Sequence, residues 1–278
     1  MTGYVLALGS AALYGAADFL GGFASRRAGT IAIVVVSQAA GLVLLLALMP
    51  FMPAAPFHRD LWWGGVAGLA GGTGVALLYR ALAVGRMAVA APTTAVCAVI
   101  IPVVADVLAG QRLGAQTAAG IALALLAIAL VSRTNASPAG GAPAGLWLAL
   151  ASGVAIGFFF LALARTRAEA GLWPLVAARL VSVSLFVLIG LASGARFRMP
   201  GPVMRIAVAA GAVDMAANAL YLFATRHGAL SVVVTLSSLY PASTVVLARA
   251  VAGERLNGWQ AVGLVSALAA VALIVAGP

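Results

Sequence analysis

Lysine is absent from this 278-residue sequence, acidic residues number only six, and charged residues of every kind make up 8% of it. A water-soluble domain carries roughly a quarter charged residues, so a fully solvated exterior is excluded. All 16 positive charges are arginine, giving a net charge of +10, and they stand singly between apolar runs. Nucleic-acid recognition needs a contiguous basic stripe on a soluble face. None is present, so no nucleic-acid partner is expected. The single Cys97, inside an apolar run, excludes disulfides and thiolate metal sites. His58 and His227 are too isolated to hold a metal, so neither metal nor cofactor is predicted. No phosphate-binding P-loop occurs, which argues against ATP-driven work by this chain alone. The first hydrophobic run starts almost at Met1 without a basic flank, so no cleavable signal peptide is expected.

What fills the sequence is apolar: 64% of residues are hydrophobic and 32 are glycine. A membrane helix needs about 20 apolar residues. Breaks at Arg, Gly-Pro and polar clusters predict ten spans, at about 3–24, 30–50, 61–82, 88–109, 115–133, 144–165, 172–193, 203–225, 230–251 and 257–277. The expected fold is therefore an all-α integral membrane protein, multi-pass in the cell (inner) membrane, with membrane lipid around it. The longest break, Arg133 to Pro143, is rich in Ser, Pro, Gly and Ala and falls at mid-chain. It divides a first five-helix repeat, 1–135, from a second, 144–278, across a linker at 136–143.

The halves repeat. A shift of 143 residues lays Gly85 on Gly228, Gly120 on Gly263, and Gly110-Gln111-Arg112-Leu113 on Gly253-Glu254-Arg255-Leu256. A shift of 142 lays Ser10 on Ser152, Gly15 on Gly157 and Gly29 on Gly171. Shared Gly counts for more than shared Ala or Leu, because it punctuates helices at equivalent places. Five is odd, so the second half enters the membrane from the opposite side. Inverted repeats of that kind suit transporters, with a substrate site between them near the midplane.

Acids inside a membrane normally face a cavity and serve an ion or substrate path. Asp214 lies near the centre of the eighth span and Asp18 about two-thirds along the first. Asp214, Asn218 and Tyr221 share one helical face, as Ser10, Tyr14 and Asp18 nearly do. The substrate-binding candidates are thus Asp214, Asn218, Tyr221, Tyr14 and Asp18, with Asp214 first and Asp18 second as proton-coupling residues. Arg179, two turns into the seventh span, pairs with an acid, meets an anionic substrate group, or snorkels outward. Asp60, Glu169 and Glu254 read as solvated or paired, and Asp106 as structural, with Arg112 as a partner. The fourth span contains Pro92 and Pro102 among hydroxyls. The ninth reads Thr235-Leu236-Ser237-Ser238-Leu239-Tyr240-Pro241. Pro-interrupted segments at corresponding places point to a binding site, so both spans are expected to line it, with Ser238 and Tyr240 as further candidates. Gly64, Gly68 and Gly72 form a small-residue stripe better suited to helix packing.

Several of these features come together in one resemblance. Residues 79–88 (Tyr-Arg-Ala-Leu-Ala-Val-Gly-Arg-Met-Ala), Leu13-Tyr14-Gly15, Arg179, Pro241 thirteen residues before Glu254, and the turn 253–256 look like the EamA-type transporters of the drug/metabolite transporter superfamily. The departures lie in the first half, where Gln38 stands for Arg, Gln111 for an acid and Ala98 for proline. The resemblance implies ten helices in two repeats and a small-molecule substrate. The expected function is secondary transport of small metabolites or drugs by alternating access, efflux among the options, with proton coupling. Flipping of a lipid-linked carrier is the alternative within transport. An intramembrane enzyme would need a convergent catalytic set, and Asp18 with Asp214 lies in no such motif, so no catalytic residue is assigned. A channel lacks the polar rings of symmetric pores. A monomer or weak dimer is expected. The loops after odd-numbered spans carry ten Arg against five after even-numbered ones, which puts the termini outside, while the resemblance implies termini inside.

Overall fold

The computed structural model describes residues 1–51, 54–85, 87–110, 114–131, 142–252 and 258–276. It is helical throughout, with no strand among the described residues. In chain order the helices are α1 (Thr2–Ser25), α2 (Thr30–Leu48, extended by a 3-10 turn at Met49–Phe51), α3 (His58–Val84) and α4 (Met87–Leu108). They continue with α5 (Ala115–Val131), α6 (Ala142–Ala164), α7 (Trp173–Ala192) and α8 (Gly201–Thr225). The last are α9 (Leu230–Ser237), α10 (Tyr240–Ala252) and α11 (Gly258–Ala276). Taking α9 and α10 as one broken span, a helix stands at each of the ten expected positions. Seven stretches among the described residues are long and apolar enough to cross a membrane. These are α1, α2 with its extension, α3, α6 from Gly145, α7, α8 and Leu230–Val251. Shorter apolar stretches occupy α4 at Thr93–Leu108 and α5 at Ala118–Ala127.

Helix is the form this composition dictates, since in lipid each backbone group must be satisfied within its own segment. Proline starts α7 and α8, at Pro174 and Pro202, where its missing N–H costs nothing. Gly194 stops α7 with φ +64°, and Ala195 N–H then bonds Gly190 C=O at 2.8 Å, a Schellman closure. Most of the expected linker, and the turns around Gln111 and Glu254, lie outside the described residues; α6 already begins at Ala142.

The most extensive helix contacts cross the chain's midpoint. α1 lies on α8, α3 on α6 and α7, α2 on α7 and α8, α4 on α6, and α5 on α11. The glycine stripe of α3 does what its spacing predicts. Gly64, Gly68 and Gly72 lie against Pro174, Ala178 and Ser182 of α7, in step every four residues. A Cβ on Gly64 or Gly68 would run into a backbone carbonyl of α7, so this contact exists only because those side chains are absent.

Hydroxyls tie the helices in matched pairs. Ser10 donates to Ala217 C=O at 3.0 Å, joining α1 to α8. Ser152 donates to Gly74 C=O at 2.7 Å, joining α6 to α3. Thr94 donates to Ala149 C=O at 3.0 Å, and Ser237 donates to Ala7 C=O at 3.4 Å. Two acids outside the centre, Asp60 and Asp106, also have partners. Asp60 is fully buried at the start of α3 and accepts from Arg167 N at 3.0 Å, Nε at 3.1 Å and its terminal N at 2.9 Å. Asp106 was expected beside Arg112, which lies outside the described residues. Its carboxylate accepts from Ser231 N–H at 2.7 Å and so caps α9 from α4.

Candidate functional site

Seven helices enclose a central cavity of about 50 Å³. That is several times what one water needs. α1 contributes Tyr14 and Asp18, one turn apart; α2 contributes Gln38; α7 contributes Arg179 and Ser182; α8 contributes Asp214 and Asn218. These form a polar wall. The facing wall is apolar, made by Gly71, Gly72 and Val75 of α3 with Ile156, Phe159 and Phe160 of α6. Tyr240, at the start of α10, closes the site.

The polar wall is one connected network. Arg179 donates to Gln38 and forms an ion pair with Asp214. Ser182 donates to the same Gln38 Oε1 at 2.9 Å. Asn218 Nδ2 donates to the Asp214 carboxylate at 3.1 Å and to Asp214 C=O at 2.7 Å. Asn218 Oδ1 in turn accepts from Tyr14 OH at 2.8 Å. Four helices are thereby held to one buried charge pair.

Asp18 stands apart from that network. It is 7% exposed, as are Arg179 and Asp214, yet no hydrogen bond or ion pair reaches its carboxylate among the described residues. The cavity therefore holds one compensated acid and one uncompensated acid. Aromatic rings line the same cavity. Tyr14 meets Phe160 edge-on at 6.1 Å between centroids and Tyr240 at 6.5 Å.

Of the eight residues singled out in the sequence, six line the cavity: Tyr14, Asp18, Arg179, Asp214, Asn218 and Tyr240. Tyr221 does not. It is fully buried, donates to Phe160 C=O at 3.0 Å and packs on the Phe160 ring at 4.6 Å. Ser238 does not either; it is fully buried at the α9–α10 break, and its Oγ has no partner among the described residues. The fourth span was expected to line the site, and its Pro92 side chain lies outside those described. Among the described residues no α4 side chain borders the cavity, and Thr94 and Cys97 lie against Gly153 of α6. In the ninth span Pro241 falls at a true interruption, with α9 ending at Ser237 and α10 starting at Tyr240, and among its described residues only Tyr240 reaches the cavity. Sequence reasoning left out Ser182 and the phenylalanines. Ser182 was findable, lying three residues beyond Arg179 on the same helical face. Gln38 was visible only as a departure from a family pattern; here it accepts from both Arg179 and Ser182.

The sequence profile of the EamA-like transporter family matches residues 1–133 and 143–276. No curated protein matches the chain. A solved crystal structure, described only as that of a protein, is similar in fold. It superposes with a TM-score of 0.74 at 17% sequence identity, over 98% of this chain and 95% of that one. The profile covers nearly the whole sequence, and the fold supplies the apolar helices and the central cavity, polar on one wall, that suit a membrane carrier of small solutes. The chain is a multi-pass membrane protein and belongs to the EamA-like transporter family, within the drug/metabolite transporter superfamily.

Proposed function

We propose that this chain is a secondary transporter that moves small metabolites or drugs across the inner membrane by alternating access, coupled to protons. The observation that carries this reading is the cavity itself: a buried site between helices of both halves, with one acid held by Arg179 and one acid, Asp18, left unpaired. A buried charge without a partner is costly, so a site of this kind is stable only with a proton or a cation at Asp18.

Alternating access in this architecture relies on two repeats related by a two-fold axis in the membrane plane. The matched hydroxyl bonds support that relation. The shifts of 142 and 143 that align the sequence carry Ser10 onto Ser152 and Gly74 onto Ala217, so the two serine bonds are each other's image. The same shifts carry Thr94 onto Ser237 and Ala7 onto Ala149, the second bonded pair. A two-fold relation exchanges partners in this way, residue for residue. The match of the family profile to two stretches of similar length supports it too.

Reconstitution tests the reading. Purified protein in sealed vesicles with a pH gradient is offered amino acids, nucleosides, polyamines and quaternary amines in turn. The expected result is that at least one solute accumulates chemically unchanged while the gradient dissipates faster than in empty vesicles. Chemical conversion of a solute without its movement would overturn transport in favour of catalysis.

A further inference from the structure

We infer that the cavity takes a monovalent organic cation with a compact apolar body, and that this cation exchanges one for one with a proton on Asp18. The assignment rests on the cavity being the transport site. It follows from the charge balance of the side chains there. Arg179 and Asp214 cancel as an ion pair, with Gln38 and Asn218 completing their hydrogen bonds. What is left is a single carboxylate, Asp18, with no partner among the described residues. One positive charge closes the balance and two overfill it. An anion would meet two acids and an arginine already committed to Asp214. A neutral solute leaves Asp18 with its proton and gives no exchange.

The surroundings of Asp18 fit the body of such a cation. Tyr14 lies one turn away on α1, with Phe160 and Tyr240 edge-on to it at 6.1 and 6.5 Å between centroids. Aromatic faces attract cations, most strongly where water is excluded. The wall opposite, from α3 and α6, offers apolar surface for a ring or alkyl group.

With the cavity open to one side, the Asp18 O–H bond breaks, the proton leaves to water on that side, and the cation takes its place. On the other side water returns a proton and the cation departs. The side chains and their occupant sum to zero charge in both half-cycles, so a membrane potential does no net work on the exchange. The ionisable groups facing Asp18 are Tyr14 on its own helix, Asp214 on α8, Tyr79 on α3 and Tyr240 on α10, with Arg179 of α7 bordering the same cavity. Phenols carry no charge near neutral pH, and the Arg179–Asp214 pair is internally balanced, which leaves Asp18 to set the pH response.

The test uses the full chain in lipid nanodiscs and benzyltrimethylammonium as probe, with phenylacetate and benzamide as anionic and neutral counterparts of similar size. Calorimetry in buffers of different ionisation heat counts protons released on binding. The expected count is about one per cation, and the apparent Kd falls by about tenfold per unit rise in pH while Asp18 still holds its proton. Asp18→Asn weakens the cation by about thirtyfold or more, the effect of removing one member of a buried charge pair. In vesicles a pH gradient drives the probe, and an imposed potassium diffusion potential leaves its rate unchanged. Zero protons released, or phenylacetate or benzamide binding as tightly, overturns the inference, and the proton count on the wild-type chain decides this even if Asp18→Asn misfolds. A rate that follows the potential overturns the one-for-one exchange. If the cation binds with one proton released and yet never crosses, the cation site stands and the transport reading fails. If other solutes cross while the cation releases no proton, transport stands and the cation site fails.

Discussion

The hydroxyl of Tyr14 donates to Asn218 Oδ1 at 2.8 Å, a bond between residues 204 positions apart in sequence. It ties α1, which carries the unpaired Asp18, to α8, which carries the paired Asp214. Tyr14→Phe removes the donor and leaves Asn218 Oδ1 buried without it, at a cost of about 1–3 kcal/mol. The expected outcome is a lower thermal unfolding midpoint in detergent. Tyr14→Phe combined with Asn218→Leu, which removes the stranded acceptor as well, should be less destabilised than the sum of the single changes. Strict additivity would show that the two groups do not interact.

The Arg179–Asp214 pair makes a second such case, with larger numbers. Removing one member of a buried pair costs about 3–5 kcal/mol, because the other charge remains without compensation. Arg179→Gln and Asp214→Asn alone should therefore each be strongly destabilised. The double variant, which leaves no charge behind, should recover most of that loss. Chemical denaturation of all four proteins measures the coupling. A double variant as unstable as the sum of the singles would mean that the pair is broken in the membrane.

Glycines on the helices are not equivalent, and two of them give opposite expectations. Gly68 lies where a Cβ would meet the Ala178 carbonyl, so Gly68→Leu should separate α3 from α7 and sharply reduce the yield of folded protein. Around Gly29, before α2, an added Cβ meets nothing within 4 Å, and φ there is −60°. Gly29→Ala should be tolerated within about 0.5 kcal/mol. Size-exclusion profiles of the two variants check both at once. Equal behaviour would remove the close-packing role given to the α3 stripe.

Helix positions were legible in the sequence because lipid allows this chain no other backbone solution, and a span at 172–193 emerges as Trp173–Ala192. Side-chain facing was legible only in part. Helical spacing put Asp214, Asn218 and Tyr221 on one stripe, but the stripe is wider than the cavity, and Tyr221 at its edge turns to the Phe160 carbonyl. The partner of Arg179 was beyond reach. It depends on how α7 and α8 sit side by side, bringing together residues 35 positions apart, and nothing in either segment states that placement. For the same reason the sequence ranked Asp214 first for its central depth, whereas pairing, which depth does not encode, sets Asp18 apart.

The interruption at Ser238 and Leu239 turns the ninth span into two short rods with a joint, α9 of eight residues and α10 of thirteen. Each rod has its own moorings. α9 is pinned at its start by Asp106 and leans on α1 through Ser237 and Ala7. α10 leans on α1 further along, where Thr244 donates to Gly15 C=O at 3.2 Å. A continuous helix would pass any tilt of α1 along its full length, whereas a jointed one takes up the difference at the bend. Tyr240, which lines the cavity, sits at that bend, so any tilt of α1 taken up there would displace part of the cavity's lining.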